Sequence, residues 1–145
     1  MTIRPLYIKE AEFIAHRLAV ETMNFEDEPI PPFDTRSPGK LESCLLEPFQ
    51  TYDGKILRYH FKSRAALLFY LIAKNHCFSN GNKRMAVTLT MVFCYVNNRW
   101  MNIHPKALYK IANDVAESKP EERKVVLETL EKFFGKHILK NVPHE

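Results

Sequence analysis

The sequence predicts an all-α domain of about six helices packed around two central ones. Three observations carry that expectation. Proline is absent from Phe49 through His104, and glycine occurs only at 39, 54, 81 and 135. Long helices need such stretches, since an interior proline costs about 3 kcal/mol and a glycine about 1 kcal/mol. Ala11, Ile14, Ala15 and Leu18 follow the i, i+3, i+4, i+7 spacing of one helix face. Ala65–Ala73 reads AALLFYLIA, apolar on every side, as a helix buried in the middle of a domain does.

In chain order, a first amphipathic helix is predicted over roughly Ile8–Met23. Glu26-Asp27-Glu28-Pro29-Ile30-Pro31-Pro32 is too rich in proline for a helix or an interior strand. Leu41, Cys44, Leu45 and Pro48 bound a short second helix, with Ser37-Pro38 as its start. Asp53-Gly54, set among alternating residues of Phe49–His60, marks a hairpin or turn. Lys62–Asn75 is a buried helix, His76–Gly81 interrupts it, and Asn82–Asn98 resumes the apolar pattern. Pro105 opens a helix to about Glu117. Ser118-Lys119-Pro120-Glu121 has capping-box spacing for a last helix that Gly135 is expected to stop, and the final ten residues are expected to fray.

The 145 residues fit one domain, 1–145, and 46% apolar with 12% aromatic residues is enough for a sizeable core. The net charge of +4 is mild and dispersed, which suits a phosphate ligand better than a dedicated nucleic-acid surface. Toward the C-terminus, Glu121-Glu122-Arg123-Lys124 and Glu131-Lys132 interleave the signs as solvated faces do, so no direct nucleic-acid binding is expected. The longest uncharged stretches, Ala65–Ala73 and Met85–Asn98, fall short of a membrane span, and Met1–Lys9 has no apolar signal core. Three cysteines, 44, 77 and 94, without C-x-x-C spacing support neither a disulfide framework nor a cysteine-rich zinc site. Six histidines show no H-x-x-x-H pairing. A reduced, cytoplasmic protein away from membranes is expected.

The segment His76-Cys77-Phe78-Ser79-Asn80-Gly81-Asn82-Lys83-Arg84 lies between the two most buried helices. Singly, each residue has an ordinary reading. A histidine closing a helix suits the dipole, Phe78 anchors a loop, Asn80-Gly81 makes a turn, and Asn82 is a common N-cap. Lys83 and Arg84 fit less well, because two cations in a first helical turn meet the positive end of the dipole. An anion reverses that sign: backbone amides, a nest at Gly81 and both cations converge on a phosphate. His76 at the other end of the loop adds a titratable base, and base, turn and cationic helix start together describe phosphoryl or nucleotidyl transfer.

This segment, HCFSNGNKR, resembles the signature of the Fic/Doc (Fido) family, H-x-F-x-(D/E)-(G/A)-N-(G/K)-R. The run from Ser37-Pro-Gly-Lys-Leu-Glu-Ser through Pro48-Phe49-Gln50-Thr51-Tyr52-Asp53-Gly54 is similar to the doc (death-on-curing) branch, and the likeness covers about Pro29 to Phe134. The resemblance implies a Fic-like helical bundle with a small β-hairpin flap before the active-site helix–loop–helix. It implies an enzyme that transfers part of ATP or another nucleoside triphosphate, with Mg²⁺, to a hydroxyl of a target protein. His76 would then be the general base, and Phe78 would lock the loop. Ser79, Gly81, Asn82, Lys83 and Arg84 would meet the phosphates, Arg84 through a bidentate fork. Thr51, Tyr52, Asp53, Gly54 and Lys55 would form the flap that aligns the target's backbone.

Asn80 stands where the family usually has an Mg²⁺-binding carboxylate, and a neutral amide is a weaker ligand for a hard cation. Lys83 replaces the glycine of the AMP-transferring branch, and Val87 stands in place of its second arginine. Both features resemble the doc branch, which is associated with phosphorylating a translation factor. Phosphoryl transfer is therefore favoured, although Gly81 matches the AMP branch. Family members are often restrained by (S/T)-x-x-x-E-(G/N); Ser43-x-x-x-Glu47 is followed by Pro48 and Ser118-x-x-x-Glu122 by Arg123. The resemblance thus implies a separate inhibitory antitoxin, with this chain as the toxin of the pair. The alternatives are AMP transfer and a nucleotide-binding helical module that catalyses little, the latter favoured by Asn80.

Overall fold

The computed structural model describes residues 2–23 and 28–140. Glu26 and Asp27 of the proline-rich segment, and the end of the predicted fraying tail from 141 on, lie outside the described residues.

Among the described residues six α-helices form, as the pattern requires. The first, α1, runs on through three segments: α-helical Ile8–Glu10, a π-helical Ala11–His16 and α-helical Arg17–Thr22. The others are α2 (Lys40–Leu46), α3 (Phe61–Lys74), α4 (Asn82–Val96), α5 (Pro105–Glu117) and α6 (Arg123–His137). Two ribbons accompany them. β1 (Thr51–Tyr52) pairs antiparallel with β2 (Lys55–Ile56), and β3 (Trp100–Met101) with β4 (Ile138–Leu139).

α3 and α4 occupy the centre. α3 packs on α2, α4, α5 and α6, while α4 packs on α1, α3 and α5. Every residue of α3 from Arg64 through Ala73 is buried, which accounts for its all-round apolar sequence. Phe61 of α3 stacks on Phe93 of α4 at 4.9 Å between ring centroids, and Phe69 meets Phe134 of α6 edge-on at 5.6 Å. Such pairs add about 0.5–1.5 kcal/mol beyond their buried area.

Several local details differ from the sequence pattern. In α1 the buried row is Ala11, Ala15 and Ala19, and Ile14 is exposed. The π-helical segment widens the turn, so i+4 neighbours stay on one face and the i+3 position rotates away. Ser118 closes α5, its hydroxyl donating to the Val115 carbonyl at 2.6 Å. The reciprocal contact of the last helix start comes one position later, with the Lys119 amide donating to Glu122 at 2.9 Å. Gly135 lies inside α6 and does not stop it. A Cβ there would stand 3.2 Å from the Lys62 side chain, so glycine admits close packing of α3 against α6. Ile138–Leu139 do not fray, because they pair with Trp100–Met101.

The N-terminal segment is held to the end of α4 by one buried amide. Asn97 accepts from the Arg4 amide at 2.8 Å and donates to the Arg4 carbonyl at 3.0 Å and to the Phe93 carbonyl at 2.9 Å. Truncation leaves the Arg4 amide and the Arg4 and Phe93 carbonyls without this partner. Asn97→Ala is expected to lower stability by about 1–3 kcal/mol, measured by urea denaturation of the full chain.

Candidate functional site

The site is built where α3 and α4 are joined. α3 ends at Lys74, with Asn75 as its cap, and the connection reverses direction before α4 starts at Asn82. His76 therefore lies beyond the helix and does not close it; its φ of 48° is left-handed and its ring is exposed. Cys77 and Phe78 turn inward and are buried. Phe78 stacks on His16 of α1, centroids 6.1 Å apart, and meets Phe33 at 5.9 Å. The Cys77 carbonyl accepts from the Ser37 amide at 2.8 Å.

Asn82 is the first helical residue, and the N-cap position falls to Gly81 at φ 80°. The Asn82 side chain turns back across the loop. Its Oδ1 accepts from the Phe78 amide at 2.9 Å and its Nδ2 donates to the Phe78 carbonyl at 2.8 Å. Both polar groups of one loop residue are thus satisfied by one amide, which fixes the loop between a buried ring and a helix start. Asn80 Nδ2 donates to the Pro29 carbonyl at 3.3 Å, so Pro29-Ile30-Pro31 lies along the loop. His16 Nε2 donates to the Pro31 carbonyl at 2.8 Å, holding the other side of this strap.

The two cations of the first turn go in different directions. Arg84 is only 2% exposed, and its Nη1 donates to the Met23 carbonyl at 3.4 Å. Met23 caps the C-terminal end of α1, where a cation is favoured by the helix dipole. Part of the charge conflict at the start of α4 is thereby met by another helix of the same chain. Its guanidinium also reaches beneath the loop, with Nη2 3.5 Å from where a Gly81 Cβ would stand. Lys83 is half-buried, with its ammonium 5.9 Å above the Tyr109 ring of α5. Ser79 is exposed on the outer side of the turn.

The hairpin falls where Asp53-Gly54 predicts it. Both residues have positive φ, 52° and 75°, as a two-residue turn matched to strand twist requires. Thr51, Tyr52, Asp53, Gly54 and Lys55 are all exposed. A residue that sequence reasoning passed over holds its base. Arg64 of α3 donates from Nε to the Arg58 carbonyl at 2.9 Å and stacks its guanidinium 4.4 Å above the Phe49 ring. It thus secures both ends of the hairpin, and burial holds its pKa below the ordinary value. An arginine inside an apolar helix was the available signal.

Among the described residues, no group of three or more His, Cys, Asp or Glu is gathered so as to hold a metal ion. Nor is any helix there long and apolar enough to cross a membrane.

The model of the Fic/DOC family matches residues 7–94, more than half of the chain, and the chain belongs to that family. The matched stretch runs from the start of α1 into α4 and includes the hairpin and the whole His76–Arg84 loop. Family membership makes the chain transferase-like and points to nucleotide-dependent protein modification. Neither the comparison with curated proteins nor that with solved structures gives a significant match.

The loop predicts its own weak point. Gly81→Ala places a side chain at φ 80° and 3.1 Å from Ile30. The left-handed conformation alone costs about 1–2 kcal/mol, so at least that loss is expected in a thermal or urea melt.

Proposed function

We propose that this chain uses ATP or another nucleoside triphosphate to modify a Ser, Thr or Tyr hydroxyl of a target protein, with phosphoryl transfer of doc type. The observation that carries the reading is the clamped loop. In a Fic/DOC chain it holds an exposed imidazole, a left-handed glycine and the amide end of a buried helix within HCFSNGNKR.

His76 takes the proton of the target hydroxyl as the oxygen attacks the γ-phosphorus, and the nucleoside diphosphate leaves. The amides at Gly81 and Asn82, with Ser79 beside them, face the phosphates at the start of α4. Lys83 adds a flexible cation at the rim, and Arg84 adds charge from beneath the loop. Ile30 lies against Gly81, so a triphosphate seated there displaces it. Mg²⁺ bound with the nucleotide would neutralise phosphate charge, and the Asn80 carbonyl oxygen would serve it as a weak neutral ligand beside the nucleotide's own oxygens. The exposed hairpin, Thr51–Lys55, is suited to pair with an extended segment of the target, a translation factor being the reading the doc likeness favours.

Self-restraint by either serine–glutamate stretch is not part of the proposal. Glu47 faces Arg123 at 3.8 Å and Glu122 accepts from the backbone of its own turn, which supports a separate antitoxin and a toxin role for this chain. AMP transfer is the second reading, favoured by glycine at position 81.

Three outcomes test the proposal. His76→Asn, a residue that also tolerates positive φ, is expected to abolish labelling of target protein in cell lysate while the melting curve stays close to wild type. Wild-type labelling by that variant removes His76 from the reaction. With ATP labelled at either the α or the γ position, the γ-label is expected on the target. Lys83→Gly is then expected to shift labelling partly toward the α-label, only partly because Val87 is buried where the AMP branch carries arginine. Target carrying only the α-label in the wild type overturns phosphoryl transfer.

A further inference from the structure

Cys44 of α2 and Cys77 of the loop are far apart in sequence, yet their sulfurs lie 3.8 Å apart in the interior. Asn75 Nδ2 donates to Cys44 Sγ at 3.4 Å. Cys77 is bonded to His76, and its carbonyl is already tied to Ser37, just before α2. Cys94, the third thiol, is buried in α4.

We infer that Cys44 and Cys77 form a reversible disulfide that responds to hydroperoxides and resets the loop carrying His76. The surroundings give the two sulfurs different tasks. Cys44 keeps a sliver of surface, at 3% exposed, whereas Cys77 has none. The Cys77 thiol's hydrogen bond, aided by the Asn75 amide and opposed by burial, lowers the pKa of Cys44. The same contact raises Cys77, and burial raises it further. Burial pushes Cys94 up to about 12, and among the described residues it has no thiol partner.

Cys44 is therefore the attacking thiolate. It attacks one oxygen of hydrogen peroxide as the O–O bond breaks, giving a sulfenic acid, and the displaced hydroxide takes up the proton that the Cys44 thiol released, giving one water. Cys77 then attacks that sulfur, the S–O bond breaks, and its proton leaves with the hydroxide as a second water. Two thiols are oxidised and one peroxide is reduced. Closing the bond brings the sulfurs from 3.8 Å to about 2 Å, which draws Cys77 toward α2. The movement reaches His76 through one peptide bond. The bond itself stands independently of the transferase reading; only its value as a control of transfer rests on it.

The test treats the full chain with hydrogen peroxide, alkylates it under denaturing conditions and maps the peptides by mass spectrometry. A Cys44–Cys77 cross-linked peptide is expected, with Cys94 alkylated and dithiothreitol restoring both thiols. Cys44→Ser and Cys77→Ser are each expected to give no internal disulfide. Free or over-oxidised Cys44 and Cys77 without the bond, or a bond through Cys94, overturns the inference. The ring resonances of His76, followed by NMR, are expected to shift on oxidation and return on reduction, and to stay fixed in peroxide-treated Cys44→Ser. An unmoved His76 in the oxidised wild type overturns the coupling to the loop. Neither readout needs transferase activity, so failure here is distinguishable from failure of the proposed reaction.

Discussion

The packing of α3 against α4 is the constraint on which the rest depends. Both helices are buried along most of their length, so their join must reverse the chain within residues 75–81. A turn that tight needs left-handed backbone, which falls at His76 and Gly81. It also needs an anchor, which is Phe78 beneath and Asn82 across. The exposure of His76 and the inward aim of Cys77 and Phe78 are consequences of the same reversal.

Charge is managed across helices. The start of α4 concentrates like charge, and α1 supplies the opposite end of a dipole through the Met23 carbonyl. That arrangement makes Arg84 a structural member of the α1–α4 contact as well as a cation under the loop. Its removal leaves a void among buried side chains, so relief of dipole repulsion is the smaller effect. Arg64 works similarly on the other side of α3, where a buried guanidinium secures a hairpin that is otherwise all surface. Two buried arginines thus connect the core to the two exposed parts of the site.

Besides its own helix ends, the loop is attached through the Cys77 carbonyl to Ser37, the Asn80 amide to Pro29, the Phe78 ring to His16 and Phe33, and the Asn75 amide and Cys77 sulfur to Cys44 of α2. Each links it to α1, to α2 or to the segment preceding α2. Ile30, beside Gly81, and Cys44, beside Cys77, belong to the same surroundings.

Much of this was legible in the sequence. Proline-free apolar runs gave the two central helices, Asp53-Gly54 the hairpin, and HCFSNGNKR the family, because each is a local pattern read within one element. What depended on contact between distant residues was not legible. Alternation and spacing cannot show that a π-helical segment turns Ile14 outward, or that Gly135 admits Lys62. They cannot show that Ile138–Leu139 find a partner strand at Trp100–Met101. Three cysteines without a spacing motif implied no pairing, yet folding sets two of them 3.8 Å apart. The direction of Arg84 is of the same kind: its place in the first turn of α4 is local, whereas its carbonyl partner belongs to α1. Sequence determined the helices and the Asp53-Gly54 hairpin, since propensity and periodicity act over a few residues. Tertiary structure decided which side chains meet, since burial brings together groups that no local pattern relates.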